Sequence, residues 1–348
     1  MGALRTTPLE TSHCPLEQYR IETGTVNVIN LEHLTRLIDS LESSDDIRPN
    51  TKPASSEGTI FIGSGDSLSS GILATAFGHR AFSSGDLTWT GTLPFGTQTV
   101  VGISHSGNSG ATVRAIRLAR EVGKRTIAIT SNPASPLATE ADEIQVVPTL
   151  TIAEVVPCAG HLMLGLGVAA VCGVDTAAAS SELARTIAAH RGTIQTTVDA
   201  LPASAPNGIS ILTLPELRGA GDFWALKLIE ATGLTVRTVA LEESGHVDYF
   251  IGPDSHLVLQ LVGAAGRDRF ERLAAALVST GQTVHPVCFG GRATDDMRAA
   301  VLVEIAGAAV GALVAEAAAA QWDRPPFRGG AVNMDARHIK LDGEPYST

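Results

Sequence analysis

The chain has 348 residues, enough for two domains of ordinary size, each with its own core. Hydrophobic residues make up 44% and charged residues 18%, with only 4% aromatic, so Ala, Val, Leu and Ile carry the apolar content; that mixture suits parallel strands under small-residue helices better than a β-sandwich. A net charge of −11 argues against nucleic acid or an anionic membrane as partner, and any phosphate ligand must be held by local dipoles and hydroxyls against that field.

Residues 1 to 25 show no period and read as an arm, and Met1 to Arg20 has no apolar run of the secretory kind. Cys14, Cys158, Cys172 and Cys288 have no paired spacing and read as small buried hydrophobes under reducing conditions, so a cytoplasmic protein is expected. Leu31, Leu34, Leu37, Ile38 and Leu41 recur at helical spacing, before a Ser-, Asp- and Pro-rich connection over 43–57. Four β-branched runs follow, Thr59–Ile62, Thr99–Ile103, Thr126–Thr130 and Glu143–Val147, each ahead of a turn or helical stretch. After the second, Ala115, Ile116, Ala119 and Val122 predict one helix face and Arg114, Arg117, Arg120 and Glu121 the other, with Gly123 as the stop. Strands alternating with helices predict βαβ crossovers and a mainly parallel sheet.

Two stretches are superficially membrane-like. Val155–Val174 contains Pro157 and His161, and Val301–Ala320 contains Glu304 and Glu316, so both predict helices buried between protein layers. The proline-rich Leu201–Pro206 reads as a linker, placing one domain at 1–200 and a second at 201–348. The strand rhythm returns at Ile209–Leu214, Val236–Leu241, Leu257–Leu261 and Val284–Cys288, before an Ala-, Val- and Leu-rich helix over about 296–321 that should cover the second sheet. Pro325-Pro326 and Gly329-Gly330 predict an irregular closing loop.

Two glycine- and serine-rich turns stand where first-half strands give way to helices: Gly63-Ser-Gly-Asp-Ser67 and Ser104-His-Ser-Gly-Asn-Ser109. At the carboxyl edge of a parallel sheet, such turns offer helix N–H groups, close backbone approach and uncharged hydroxyl donors to an anion. Each alone reads equally as an ordinary strand–helix turn with serine caps; two together point to a phosphate cradle. Neither a Walker A lysine nor G-x-G-x-x-G is present, so a nucleotide is not favoured.

These turns, followed by Ile129-Thr-Ser-Asn-Pro-Ala-Ser-Pro-Leu137, resemble the signature of the sugar isomerase (SIS) domain family: a G-x-G-x-S turn, an S-x-S-G-x-[ST] turn and a T-N…S-P-L segment. The resemblance covers about 59–142. It implies an α/β protein of two tandem SIS-type three-layer domains, with Gly65, Asp66, Ser67, Ser104, Ser106 and Ser109 at a sugar phosphate, and leaves His105 as either a substrate contact or a structural turn residue. In the second half, Ala225-Leu-Lys-Leu-Ile-Glu230 and Glu243-Ser-Gly-His246 are similar to the A-L-K-L-x-E…E-x-x-H stretch of the isomerase half of glucosamine-6-phosphate synthase and of fructosamine-6-phosphate deglycases. That likeness implies Glu230 as the base moving protons at C1 and C2. It implies His246, arriving from the neighbouring subunit of a homodimer, as the group aiding ring opening or protonating the leaving group. Lys227, Glu243 and Glu154 are further candidates.

Helical spacing puts Glu230 on the same side as Leu226 and Phe223, with Lys227 on the flank; apolar neighbours favour a carboxylate as general base near neutral pH. The plainer alternative is a partly buried Glu230 paired to Lys227, with a surface His246. Pro215-Glu-Leu-Arg218 stands where a second cradle would be, so one phosphate site per chain is expected. Departures from the relatives are clear: Glu154 is followed by Val-Val-Pro-Cys-Ala instead of a segment with Thr-Lys, and Asp323–Gly330 offers arginines where the synthase has a lysine. The remaining histidines show no metal-ligand spacing, so no metal and no cofactor is expected. The expected function is isomerisation or deamination of an amino-sugar 6-phosphate by C2 proton abstraction from the open chain. The same intermediate serves dehydration of N-acetylglucosamine 6-phosphate or fructosamine-6-phosphate deglycation, and a non-catalytic sugar-phosphate sensor is the reading from another class.

Overall fold

The computed structural model describes residues 29–55, 57–251, 255–290 and 296–324. The expected N-terminal arm, and the closing loop from residue 325 on, lie outside them. Among the described residues there are two all-parallel sheets. The first has the order β2-β1-β3-β4-β5, built from β1 (Thr59–Gly63), β2 (Arg80–Ser83), β3 (Thr99–Ile103), β4 (Arg125–Thr130) and β5 (Glu143–Val146). The second, β7-β6-β8-β9, uses β6 (Gly208–Thr213), β7 (Val236–Ala240), β8 (His256–Val262) and β9 (Thr283–Cys288). Numbered from the first strand of each, the second order repeats that of the first sheet's leading four strands. The duplication inferred from the strand rhythm is therefore present in the topology.

Burial explains each helix. On the outer face of the first sheet lie α3 (Ser84–Thr90), α4 (Gly110–Glu121) and α5 (Pro136–Glu140), around a core that includes Ile60, Ile62, Leu87, Ile116 and Leu137. In α4, Ala115, Ile116 and Ala119 are buried as their spacing predicts, but Val122, placed on the same face from sequence, is 55% exposed. The helix ends at Glu121, before Gly123 in the left-handed region at φ +70°, so Val122 has already left the helical face. The outer face of the second sheet carries α10 (Leu241–Val247) and α11 (Arg267–Ser279) around Val258, Phe270 and Leu277.

Between the sheets sits one shared core, packed by α1 (Leu31–Glu42), α6 (Ala159–Val171), α7 (Ala179–Ala189), α8 (Arg191–Asp199), α9 (Arg218–Thr232) and α12 (Met297–Gln321). Helices α6 and α12 have no polar stripe because they have no solvent face; every residue of α6 except Gly160 is buried. By length and composition α12 is apolar enough to cross a membrane, yet its most apolar window is 83% buried inside the protein. It packs on α9, α7 and α6 as well as serving the second sheet, so the expectation that it merely covers that sheet understates it. Its two carboxylates are spent on partners: Glu304 Oε1 accepts from Gly219 N at 2.8 Å, at the start of α9, and Glu316 holds Asn30 and His33 of the first domain.

Between the last strand of the first sheet and β6 of the second run α6, α7, α8 and the proline-rich segment 201–206. Cys158 and Cys172 are free thiols. Cys288, at the end of β9, is disulfide-bonded, so the expectation of four unpaired thiols does not hold there.

Candidate active site

Strands β1 and β3 pair directly, which brings the two glycine–serine turns side by side at their carboxyl ends. The first turn passes through Gly65 at φ +55°, a left-handed conformation suited to glycine, and opens α2 (Asp66–Ile72), with Ser67 half-buried in its first turn. The second turn is braced from within. Ser104 is buried; its Oγ accepts from Gly107 N at 3.2 Å and donates to Ser109 Oγ at 3.2 Å. Ser106 is exposed and its Oγ accepts from Asn108 N at 3.3 Å, while Ser109 is the N-cap residue of α4. Gly107 is obligatory: φ is +71°, and a Cβ there would lie 2.0 Å from Ser135 Oγ. The Thr130–Leu137 segment supports this turn, since Thr130 Oγ1 and Ser131 Oγ both donate to the His105 carbonyl, at 3.0 and 2.8 Å.

The second domain reaches the first turn through α9. Lys227, 2% exposed, donates from Nζ to Asp66 Oδ2 at 2.6 Å and to Glu230 Oε2 at 2.9 Å, and lies over the Phe223 ring. Burial alone would lower the Lys227 pKa, but the charges of Asp66 and Glu230 outweigh it and hold the ammonium above its ordinary value. Glu230 is raised as well, here because burial wins. Burial, with Asp66 adding to it, raises its carboxyl above the ordinary value, although Lys227 pulls it down in part. The buried residue of the pair is thus Lys227, placed on the flank from sequence, while Glu230 is half-buried with an open side. A half-buried carboxylate of raised pKa, one ammonium away from a hydroxyl-rich anion cradle, has the chemistry of a general base beside a phosphate clamp.

Two further groups back this cluster. His161, on α6, places Nδ1 3.0 Å from Ser70 Oγ and 3.2 Å from Asp66 O, with its ring 4.0 Å from that of Phe223. Burial brings its pKa down to about 4, so it packs as a neutral ring. Glu154 caps α6, accepting from Cys158 N at 2.7 Å and Ala159 N at 2.9 Å. Its own burial would raise its pKa, but the neighbouring His33 and the N–H groups of Cys158 and Ala159 bring it below the ordinary value. His105 packs against Gly160 at the start of the same helix, with its pKa lowered by burial and partly restored by Glu154. Of the sequence candidates, Asp66, Lys227 and Glu230 share one cluster; His105 and Glu154 lie around the start of α6.

His246 and Glu243 do not join them within the chain. Both are exposed on α10, whose Leu241 packs into the outer core of the second sheet, whereas α9 packs on the inner side. At the second domain's equivalent of the cradle, Pro215–Leu217 forms a tight turn, and Glu216 Oε1 accepts from Ala265 N at 3.0 Å. A Cβ at Gly263 would lie 2.4 Å from that oxygen, so the protein's own carboxylate fills the space between these two turns. Sequence reasoning missed the role of His161 and the double pairing of Lys227. The Lys227–Asp66 pair joins residues far apart in the chain, and only the docking of α9 on α2 reveals it.

Comparison with known proteins bears on the fold. The SIS domain family matches residues 92–161. N-acetylmuramic acid 6-phosphate etherase from Bacteroides thetaiotaomicron is 57% identical over 44 residues, which is 13% of this chain and 16% of that enzyme's length. Glucosamine-6-phosphate deaminase from Thermotoga maritima superposes with a TM-score of 0.66 at 18% identity, covering 86% of this chain and 96% of that one. The C-terminal domain of glucosamine-fructose-6-phosphate aminotransferase from Francisella tularensis does so with 0.61 at 14% identity, covering 84% and 95%. The two-sheet fold is therefore shared with these proteins along most of the chain.

Proposed function

This chain carries a SIS domain, and we propose that it is an enzyme acting on a sugar phosphate, with an amino-sugar 6-phosphate as substrate and isomerisation or deamination as reaction. The two glycine–serine turns hold the phosphate: Gly65, Asp66 and Ser67 from the first, Ser104, Ser106 and Ser109 from the second, with His105 beside them. Glu230 takes the proton at C2 of the open-chain sugar, and the resulting enediol or enolamine returns a proton at C1 or releases the amine. The observation that carries this reading is the Asp66–Lys227–Glu230 chain, which ties the first turn of one domain to the base of the other over 2.6 and 2.9 Å. The domains are taken as 1–200 and 201–348.

The partner in this proposal is a second copy of the chain. His246 lies across the second sheet from Glu230 in the same chain, so its acid role requires delivery from a neighbouring subunit, as in the relatives that the sequence resembles. A second reading has a specific support, the local identity to an etherase of N-acetylmuramic acid 6-phosphate. Elimination of a C3 substituent starts with the same proton abstraction by Glu230 and differs only in what leaves. Incubation with glucosamine-, N-acetylglucosamine-, N-acetylmuramic acid- and fructosamine-type 6-phosphates, with products followed by mass, separates the readings. Turnover of none, with no binding of any, contradicts the sugar-phosphate assignment; tight binding without turnover favours a sensor.

A further inference from the structure

We propose that His33, Glu154 and Cys158 form a zinc-binding site where α1 meets the start of α6. One ligand atom from each lies within 4.8 Å of the others. Both flanking residues are closed to solvent, His33 at 0% and Cys158 at 1% exposure. His33 Nε2 is buried without a hydrogen-bond partner, 3.8 Å from Glu154 Oε1, too far for a hydrogen bond. A buried ring nitrogen without a hydrogen bond, in ion-pair range of one carboxylate and within 4.8 Å of a thiol sulfur, is the observation that suits an ion.

The surroundings of the ring fit. His33 Nδ1 lies 2.7 Å from Glu316 Oε2, and Asn30 Nδ2 donates to the other Glu316 oxygen at 2.5 Å. Burial would lower the His33 pKa, but Glu154 and Glu316 hold it up at about 9, so the ring rests protonated; on metal binding Nε2 gives up its proton while Glu316 keeps the one on Nδ1, the outer-shell arrangement that orients histidine ligands of zinc. Nitrogen, sulfur and carboxylate oxygen together suit a borderline-soft ion and disfavour calcium or magnesium. Bonds of about 2.0–2.3 Å put tetrahedral ligand atoms roughly 3.3–3.8 Å apart, so ligand atoms that all lie within 4.8 Å of one another draw together on binding. On binding, the Nε2 proton of His33 and the Cys158 thiol proton both leave to solvent. The thiolate and the Glu154 carboxylate then balance the two charges of the ion, and a water takes the fourth position. Sequence spacing hid this set because His33 comes from a distant helix, Glu154 had read as a candidate of the sugar-phosphate site and Cys158 as a buried hydrophobe.

The inference stands apart from the sugar-phosphate reading, since it is tested by metal content alone. The full chain is stripped with a chelator, dialysed against zinc at micromolar free ion, and assayed for metal by emission spectroscopy. One zinc per chain is expected, with affinity falling roughly ten-fold or more in Cys158→Ser and His33→Gln and unchanged in Cys172→Ser. Cobalt in place of zinc should show a thiolate charge-transfer band that Cys158→Ser removes. Circular dichroism checks each variant; should His33→Gln not fold, the cobalt spectra of the unaltered chain and of Cys158→Ser decide. An unaltered chain that binds no zinc, or cobalt bound without a thiolate band, overturns the proposal.

Discussion

Asp66 and Lys227 act on Glu230 with opposite signs, and this gives a test at the level of single charges. The Glu230 carboxyl is raised by burial and by Asp66 and lowered by Lys227. Asp66→Asn should therefore move the acid limb of a pH–rate profile to lower pH, and Lys227→Met should move it to higher pH. A profile unmoved by both substitutions would separate Glu230 from the titrating group. The serines divide in a similar way. Ser106 is exposed and braces little, so Ser106→Ala should weaken phosphate-ester binding by roughly 0.5–1.5 kcal/mol and leave melting unchanged. Ser104→Ala removes a buried brace of the turn and should lower both, as calorimetry and thermal unfolding will show. Most of these residues were legible in the sequence, because glycine and serine at a strand–helix turn carry a local signal. The burial of Lys227 was not, because it depends on the docking of α9.

Helix α9 is positioned at its start by Glu304 of α12, whose buried carboxyl accepts from Gly219 and Ala220 while Glu216 and Asp222 lie near it. Burial is the main cause that pushes its pKa up to about 8 from 4.5. A carboxyl raised in the folded state contributes stability that is whole below pH 4.5 and is lost as pH rises through about 8. Urea unfolding across that window should show falling stability in the parent chain. Glu304→Gln, which keeps an acceptor oxygen without the charge, should flatten the curve; an unchanged slope would mean another group titrates. Eight of the nine described strands were legible from β-branched runs bounded by turns. The missed one, β2, is a four-residue edge strand with no fully buried position, Arg80-Ala-Phe-Ser83, so it lacks the apolar run that marks the others.

The two sheets share one helical core, so the halves fold against each other, and the proposed site uses that join: its proposed cradle lies at the first sheet and its proposed base on α9. The parallel class, the repeat and the burial of α6 and α12 between protein layers were readable from rhythm and composition, but the sharing of one layer by both sheets was not, since an all-apolar helix does not encode which neighbours it meets. If the site also draws His246 from a partner, Glu230→Gln and His246→Asn chains, each inactive, should regain part of the activity on mixing. Tagged chains must show that subunits exchange; mixed dimers without turnover would mean that each site is built within one chain. The most direct test of the whole account is Glu230→Gln alone, in deuterated water. The account predicts that the variant folds and binds the sugar phosphate as the parent does, yet loses exchange of the C2 proton, because the amide keeps the shape and cannot accept a proton. Exchange at the parent rate would contradict it.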